Sequence, residues 1–131
     1  MVTKILLLEP DRGLANNLAK SLKRAGHSVQ WQVEPQAAMD AADSNQPDLI
    51  ILDLLLAGRS GAEFLYELRS YPEWQALPVV VYSHVAVNEL GETAISLDDL
   101  GIAAFHHKPV TSLSELLASV EQILAAQPVK L

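Results

Sequence analysis

The stretch LIILDLLLAG (residues 49–58) is apolar apart from one acid, Asp53. A continuous apolar run before the acid is typical of a strand that is buried on both faces of a sheet. Asp53 therefore stands where the strand ends, at the margin of a hydrophobic core. Burying an unpaired carboxylate there costs on the order of several kcal/mol, so such a group is normally paired, metal-bound or reactive. We expect another segment of the chain to bring a partner to Asp53.

Strands and helices alternate along the rest of the chain. The predicted strands are KILLL (4–8), HSVQWQV (27–33), DLIILD (48–53), LPVVVYS (77–83) and IAAFHH (102–107). The predicted helices are GLANNLAKSLKRAG (13–26), PQAAMDAADSNQ (35–46), AEFLYELR (62–69), a weak helix between Val85 and Leu100, and a last helix with apolar residues from Leu113 to Leu124. Five such alternations predict an α/β domain with a parallel sheet and crossover helices on both faces.

The apolar patterns of the strands predict their order in the sheet. Strands 1, 3 and 4 are continuously apolar and suit interior positions, whereas the alternating strand 2 and the shorter strand 5 suit edges. The order 2-1-3-4-5, which is the flavodoxin-like order, satisfies these preferences. In this order the direction in which successive strands are added to the sheet reverses between strands 1 and 3. Open α/β sheets bind ligands in the crevice at the carboxyl ends of the two strands that flank such a point. Glu9 and Asp53 stand at the ends of these two strands.

Composition limits the classes of protein that remain. The chain has 131 residues, 50% of them hydrophobic, and we interpret residues 1–131 as one domain with residues 127–131 as a C-terminal tail. It has no cysteine, which excludes disulfides and thiolate metal sites and is compatible with a cytoplasmic location. A net charge of -7 disfavours nucleic-acid binding, and no apolar run is long enough to cross a membrane.

Four polar residues are predicted to meet at the carboxyl ends of the strands. Glu9 and Asp53 follow strands 1 and 3, Ser83 ends strand 4, and Lys108 follows strand 5. Neighbouring carboxylates raise each other's pKa, whereas Lys108 and a bound divalent cation would keep Asp53 ionised and nucleophilic. Oxygen ligands of this kind favour Mg²⁺.

These residues carry a resemblance to a known family. The chain resembles the receiver domain of two-component response regulators in its acidic turn LLLEPD, its strand and loop LIILDLLLAGRSG, its strand end VVVYS and its GIAAFHHKP segment. The resemblance implies that Asp53 accepts a phosphoryl group and that Lys108 contacts it. It also implies that Ser83 binds a phosphoryl oxygen once its hydroxyl rotates inward, and that Phe105 occupies an aromatic switch position.

The same resemblance implies a cofactor and partners. Glu9 and Asp53, with the backbone carbonyl of Leu55, would hold Mg²⁺. The phosphoryl group would come from a histidine kinase or a phosphotransfer protein. A downstream protein would respond to an altered surface around the predicted weak helix, strand 5 and the last helix. The chain would not be an enzyme, beyond assisting its own phosphorylation and dephosphorylation.

The sequence also departs from the family pattern. Pro10 stands where receivers usually have a second acid after strand 1, so we expect weak Mg²⁺ binding. Asp11 is close, but Asp is strongly preferred at helix N-caps, and we predict that role for it. The loop reads AGRSG (57–61) where Pro-Gly-x-Asp-Gly is more usual, and His84 follows Ser83 where a small residue is usual.

Two other functional classes share features with this sequence. A pseudo-receiver would keep the fold as a protein-interaction module without phosphorylation, and Pro10 is its best support. A phosphatase of the haloacid dehalogenase type also places a nucleophilic Asp after a strand, but it requires a second acid two residues on, where this chain has Leu55. The phosphorylated receiver is therefore the preferred hypothesis, with the pseudo-receiver as the alternative.

Overall fold

Five parallel strands form the central sheet of the computed structural model, which describes residues 2–56, 59–85 and 99–127. The strands are β1 (Lys4–Leu8), β2 (Ser28–Gln32), β3 (Leu49–Leu52), β4 (Val79–Ser83) and β5 (Ile102–His107). Their order is β2-β1-β3-β4-β5, and every neighbouring pair is parallel. The predicted flavodoxin-like order 2-1-3-4-5 is confirmed.

Burial of the strands follows the predicted division into interior and edge strands. All residues of β3 and β4 are buried, as are all residues of β1 after Lys4. No residue of β2 or β5 is fully buried. The continuous apolar runs therefore lie where helices cover both faces, because a strand that is buried on both sides has no position for a solvated side chain.

Helices pack on both faces of this sheet. They are α1 (Arg12–Arg24), α2 (Pro35–Ser44), α3 (Gly61–Arg69) and α4 (Leu113–Ala125). One core contains residues of α1 and α4 packed on alternate side chains of the central strands. The other core contains residues of α2 and α3, with Trp74, packed on the opposite face. Each helix contributes an apolar stripe to one of these cores.

Local signals place the helix ends where the sequence predicts them. The Asp11 side chain accepts a hydrogen bond from the backbone N–H of Leu14, so Asp11 is the N-cap of α1. Gly26 follows α1 with a φ of 97°, a left-handed conformation that favours glycine. Ser112 and Glu115 form the capping box at the start of α4.

Two short strands, Leu55–Leu56 and Arg59–Ser60, form an antiparallel pair that the apolar pattern of the sequence does not indicate. They follow Asp53 directly and lead into α3. The predicted weak helix between Val85 and Leu100, and the tail predicted at residues 127–131, lie mostly outside the described residues. Within the part of the chain that is described, no helix has the length and hydrophobicity needed to span a lipid bilayer.

Candidate functional site

Four polar side chains gather at the carboxyl edge of the sheet. Glu9 follows β1, Asp53 follows β3, Ser83 ends β4 and Lys108 follows β5. Glu9, Asp53 and Ser83 are 1%, 2% and 0% exposed, and the Lys108 side chain is 5% exposed. The structure thus brings all four predicted residues together, because adjacent parallel strands end at the same edge.

Asp53 has hydrogen-bond partners at both carboxylate oxygens. Its Oδ2 accepts from Lys108 Nζ at 2.7 Å. Its Oδ1 accepts from Ser83 Oγ at 2.8 Å and from the backbone N–H of Leu55 at 3.0 Å. Charge-assisted hydrogen bonds of this length are strong and orient the carboxylate. The partners of Asp53 are therefore Lys108, Ser83 and its own loop.

Glu9, which directly follows β1, is held through both its side chain and its backbone. Its carboxylate contacts Lys108 Nζ at 2.8 Å, and its Oε2 accepts from the backbone N–H of Asp11 at 3.0 Å. Its backbone carbonyl accepts from Trp31 Nε1 at 2.8 Å. The side chain and the backbone of Glu9 are therefore both anchored, and the acid has little freedom to move away from Lys108.

Lys108 is the cation that balances these two acids. Burial by itself would lower the pKa of Lys108, but its hydrogen bonds to Asp53 and Glu9 outweigh burial and hold that pKa above the ordinary value. Burial raises the pKa of Glu9, although Lys108 opposes the rise. With all three groups charged, the cluster carries one net negative charge. The ammonium also lies 5.6 Å from the ring centroid of Tyr82, within cation–π range.

The fit of this site to Mg²⁺ rests on its two acids. The carboxylates of Glu9 and Asp53 both reach the Lys108 ammonium, so they lie close to each other. Among the described residues, no group of three His, Cys, Asp or Glu side chains could hold a metal. Pro10 is exposed and offers no carboxylate, and Asp11 uses its own to cap α1. The residues therefore fit a hard cation that retains several water ligands.

The backbone after Asp53 packs against the start of α3. Gly61 donates its backbone N–H to the Leu54 carbonyl at 2.9 Å. A Cβ at position 61 would stand 2.4 Å from the Asp53 carbonyl oxygen and 2.7 Å from Leu54 Cα. Only glycine allows this close approach, because both obstructing atoms belong to the backbone.

The Ser83 hydroxyl donates to Asp53 Oδ1 at 2.8 Å. Its inward rotation toward a phosphoryl oxygen stays a prediction. The hydroxyl also accepts from the backbone N–H of Val85 at 3.3 Å. Phe105, at the expected switch position, is partly buried and packs against the core that contains α2 and α3.

The sequence does not single out two further residues of the site. Trp31 lies in the alternating strand β2, and its indole N–H donates to the Glu9 backbone carbonyl. Tyr82 belongs to the apolar strand β4, and its ring lies beside the Lys108 ammonium. The sequence signal for Tyr82 was its position directly before Ser83. No local signal pointed to Trp31, because its contact joins residues that are 22 positions apart in the chain.

The family model of the response regulator receiver domain matches residues 5–121. The response regulator ArlR of Staphylococcus haemolyticus is 33% identical over 129 residues, which is 98% of this chain and 56% of that protein. The chain thus spans about half the length of the curated relatives that it matches.

Solved structures agree with the family match. The non-phosphorylated HemR receiver domain from Leptospira biflexa is 25% identical with a TM-score of 0.83, over 98% of this chain and 99% of that one. A putative response regulator from Chloroflexus aurantiacus is 25% identical with a TM-score of 0.82, over 95% of this chain and 99% of that one. The similarity therefore covers nearly the entire described fold.

Proposed function

The chain belongs to the response regulator receiver domain family, whose members act in two-component signalling, and we propose that Asp53 is its phosphoacceptor. The donor would be a phosphohistidine of a histidine kinase or a phosphotransfer protein. The product would act through a protein partner, as a signalling module without a separate substrate of its own. The observation that carries the proposal is the contact of one buried carboxylate with both the Ser83 hydroxyl and the Lys108 ammonium.

The chemistry requires positioning and charge compensation. An oxygen of Asp53 attacks the phosphorus of the phosphohistidine, an O–P bond forms, and the P–N bond breaks. The imidazole leaves and takes a proton from solvent. Lys108 balances the negative charge on the phosphoryl oxygens, and the Ser83 hydroxyl can donate to one of them. Asp53 enters this reaction already oriented by its hydrogen bonds.

Intact-mass analysis after incubation with acetyl phosphate and Mg²⁺ tests the proposal. We expect one added phosphoryl group on the wild type, because Asp53 is the only carboxylate in the described part of the chain that combines a nearby cation with a hydroxyl donor. Asp53→Asn is the matched control, since it keeps the shape of the side chain and removes the nucleophile. An equal adduct on that variant, or no adduct on the wild type with any phosphodonor or divalent metal, would contradict the proposal.

A bound Mg²⁺ would supply further charge compensation for the phosphoryl oxygens. The residues that would hold it are Glu9, Asp53 and the backbone carbonyl of Leu55. Two carboxylates in place of three lower the negative charge that offsets the cost of stripping water from the ion. Pro10 also has a fixed φ and is followed by an Asp11 that caps α1, so this turn has no ready substitute ligand.

We expect Pro10→Asp to tighten Mg²⁺ binding by about tenfold, which corresponds to one charged ligand contact worth roughly 1.5 kcal/mol. The same variant should accept phosphoryl groups faster. Calorimetric titration with Mg²⁺ measures the change in affinity. Pro10→Asn is the control, because it restores an oxygen ligand and backbone freedom without the charge, and it should not reproduce the gain. Equal affinities of the wild type and Pro10→Asp would show that another group, Asp11 first, supplies the missing ligand.

The lifetime of phospho-Asp53 gives a further prediction. Hydrolysis needs a water in line with the phosphoryl group, and the positions beside that path are occupied by Leu55 and Val85. Leu55 is exposed and Val85 is partly buried, and neither has a side-chain group that could orient water. We expect Leu55→Asn with Val85→Glu to shorten the lifetime by about tenfold or more.

Decay of the phosphorylated mass at fixed pH measures this lifetime. Leu55→Met with Val85→Ile is the matched control, because both changes keep the positions apolar and of similar size. The control should decay like the wild type. An unchanged or longer lifetime in the polar double variant would show that these positions do not limit access of water.

Output would pass through the surface that contains β5 and α4. If the Ser83 hydroxyl moves from Asp53 to a phosphoryl oxygen, it vacates volume beside β4. The ring of Phe105, on the neighbouring strand β5, can then take a more buried position. Such coupling requires two states of the surface with different affinities for a partner. This step deepens the proposal and depends on phosphorylation of Asp53.

The pseudo-receiver remains the second candidate, and one observation favours it. Lys108 already bonds to both Glu9 and Asp53, so the cluster is internally paired without a metal or a phosphoryl group. A protein-interaction module would need no more than this. The mass experiment separates the two, because a pseudo-receiver gains no phosphoryl group.

A further inference from the structure

A hydrogen bond outside the four residues of the phosphoacceptor site joins the ends of β4 and β5. His107 Nε2 lies 2.8 Å from the backbone carbonyl oxygen of His84. A carbonyl oxygen can only accept, so the imidazole of His107 donates and carries a hydrogen on Nε2. His107 is paired with Ser83 in the register of the two strands. The bond therefore holds the chain at the point where it leaves Ser83.

The carbonyl that His107 holds belongs to the same peptide group as the backbone N–H of Val85, and we call this unit the 84–85 peptide group. Its N–H donates to Ser83 Oγ at 3.3 Å, and Ser83 Oγ donates to Asp53 Oδ1 at 2.8 Å. Because a peptide group is planar, a bond at its carbonyl also restricts the direction of its N–H. Three hydrogen bonds and one peptide group thus connect His107 to the carboxylate of Asp53.

The bonds in this series support one another. A peptide group that accepts a hydrogen bond at its carbonyl is polarised and becomes a better donor at its N–H. The Val85 N–H uses a lone pair of the Ser83 hydroxyl, whose own hydrogen is directed at Asp53. The arrangement therefore favours the orientation in which the Ser83 hydroxyl is bonded to Asp53.

We propose that His107 is a positioning residue that keeps the Ser83 hydroxyl on Asp53 by holding the 84–85 peptide group. This inference rests on the proposed phosphorylation of Asp53. The Ser83 hydroxyl must leave Asp53 before it can donate to a phosphoryl oxygen, so the hydrogen bond of His107 opposes that step. His107 thereby sets how readily the site changes from its unphosphorylated to its phosphorylated arrangement.

Hydrogen exchange of the Val85 amide tests this connection in the unphosphorylated protein. His107→Leu removes the donor, so we expect the Val85 amide to exchange about threefold faster, which is the effect of one hydrogen bond with access to solvent. His107→Gln keeps an N–H donor and should restore the wild-type rate. His106→Leu is the matched control and should not change the rate. It makes the same replacement on the opposite face of β5, at an imidazole whose Nε2 has no hydrogen-bond partner in the described part of the chain.

Timed intact-mass analysis with acetyl phosphate tests the consequence for the reaction. We expect His107→Leu to accept phosphoryl groups about threefold faster than the wild type, because less free energy is needed to release the Ser83 hydroxyl from Asp53. Ser83→Ala removes that hydroxyl, so the addition of His107→Leu to Ser83→Ala should not change the rate further. His107→Gln should react like the wild type.

Three results would overturn the inference. An unchanged Val85 exchange rate in His107→Leu would show that His107 does not hold the 84–85 peptide group. Slower phosphoryl acceptance in that variant would show that His107 positions the adjoining Lys108 instead. Equal acceleration with and without the Ser83 hydroxyl would assign the effect to another part of the site. The exchange measurement needs no phosphorylation, so failure of the wild type to gain a phosphoryl group would refute the proposed function separately.

Discussion

Replacement of Lys108 by methionine is expected to destabilise the protein by roughly 3–5 kcal/mol at pH 7, because it removes the partner of two buried carboxylates. The Lys108 side chain is 5% exposed and bonds to both Glu9 and Asp53. Methionine fills similar space and leaves two like charges in a site sheltered from water. The rate of phosphoryl acceptance should also fall about 100-fold or more, since one preorganised cation is lost. Urea unfolding and timed intact-mass analysis measure the two effects.

The pH dependence of unfolding distinguishes lost charge pairing from lost packing. Burial already raises the pKa of Glu9, and removal of Lys108 takes away the interactions that oppose this rise. A carboxyl with a raised pKa stabilises the folded state at low pH and loses that contribution as pH rises. The deficit of Lys108→Met should therefore shrink as the pH falls from 7 toward 5. A deficit that does not change with pH would indicate a packing defect.

At alkaline pH the wild type should show the complementary behaviour. The raised pKa of Lys108 means that its stabilising contribution is complete below its ordinary value of 10.5 and is lost as the pH rises through the higher value in the folded state. The Lys108→Met variant has no ammonium at this position, so it should not show this loss of stability at alkaline pH. Lys20→Met is the matched control, because Lys20 is exposed on α1 and its replacement should change the free energy of unfolding by less than about 0.5 kcal/mol.

Gly61→Ala is expected to impair the site without changing any of its polar groups. The added Cβ would stand 2.4 Å from the Asp53 carbonyl oxygen, so the start of α3 or the loop after β3 must move. Overpacking of this kind costs about 1–3 kcal/mol of folding free energy. A displacement of Asp53 by about 1 Å can lower the rate of phosphoryl acceptance by about 100-fold. Thermal unfolding and the timed mass assay report the two effects separately.

Gly13→Ala provides the control for that substitution. A Cβ at position 13 would lie 3.4 Å from an oxygen of Asp11, which is close to ordinary contact, and the residue belongs to α1. Alanine should leave stability unchanged or raise it by up to about 1 kcal/mol, because it favours the helix more than glycine does. If Gly61→Ala behaves like Gly13→Ala, the close approach at α3 does not position Asp53.

The residue pattern of the chain alone predicts the order of the strands and the edge of the sheet at which the four polar residues meet. Continuous apolar runs placed β1, β3 and β4 inside the sheet, and alternation placed β2 at an edge. These patterns are informative because a strand turns alternate side chains to opposite faces of the sheet. The residues of a strand therefore show whether one face or both faces are buried, which distinguishes an edge strand from an interior strand. The parallel order then brought Glu9, Asp53, Ser83 and Lys108 to one edge. The role of Asp11 as an N-cap was also local, since the cap and its partner are three residues apart.

How the site is held in place follows from the packing of the whole chain. The Trp31 contact with Glu9, the approach of Gly61 to Asp53 and the bond already formed by Ser83 depend on atomic distances that no periodic pattern specifies. Hydrophobic periodicity sets which face of an element is buried. The particular side chains that meet across two elements depend on how those elements pack, and that is a property of the whole folded chain.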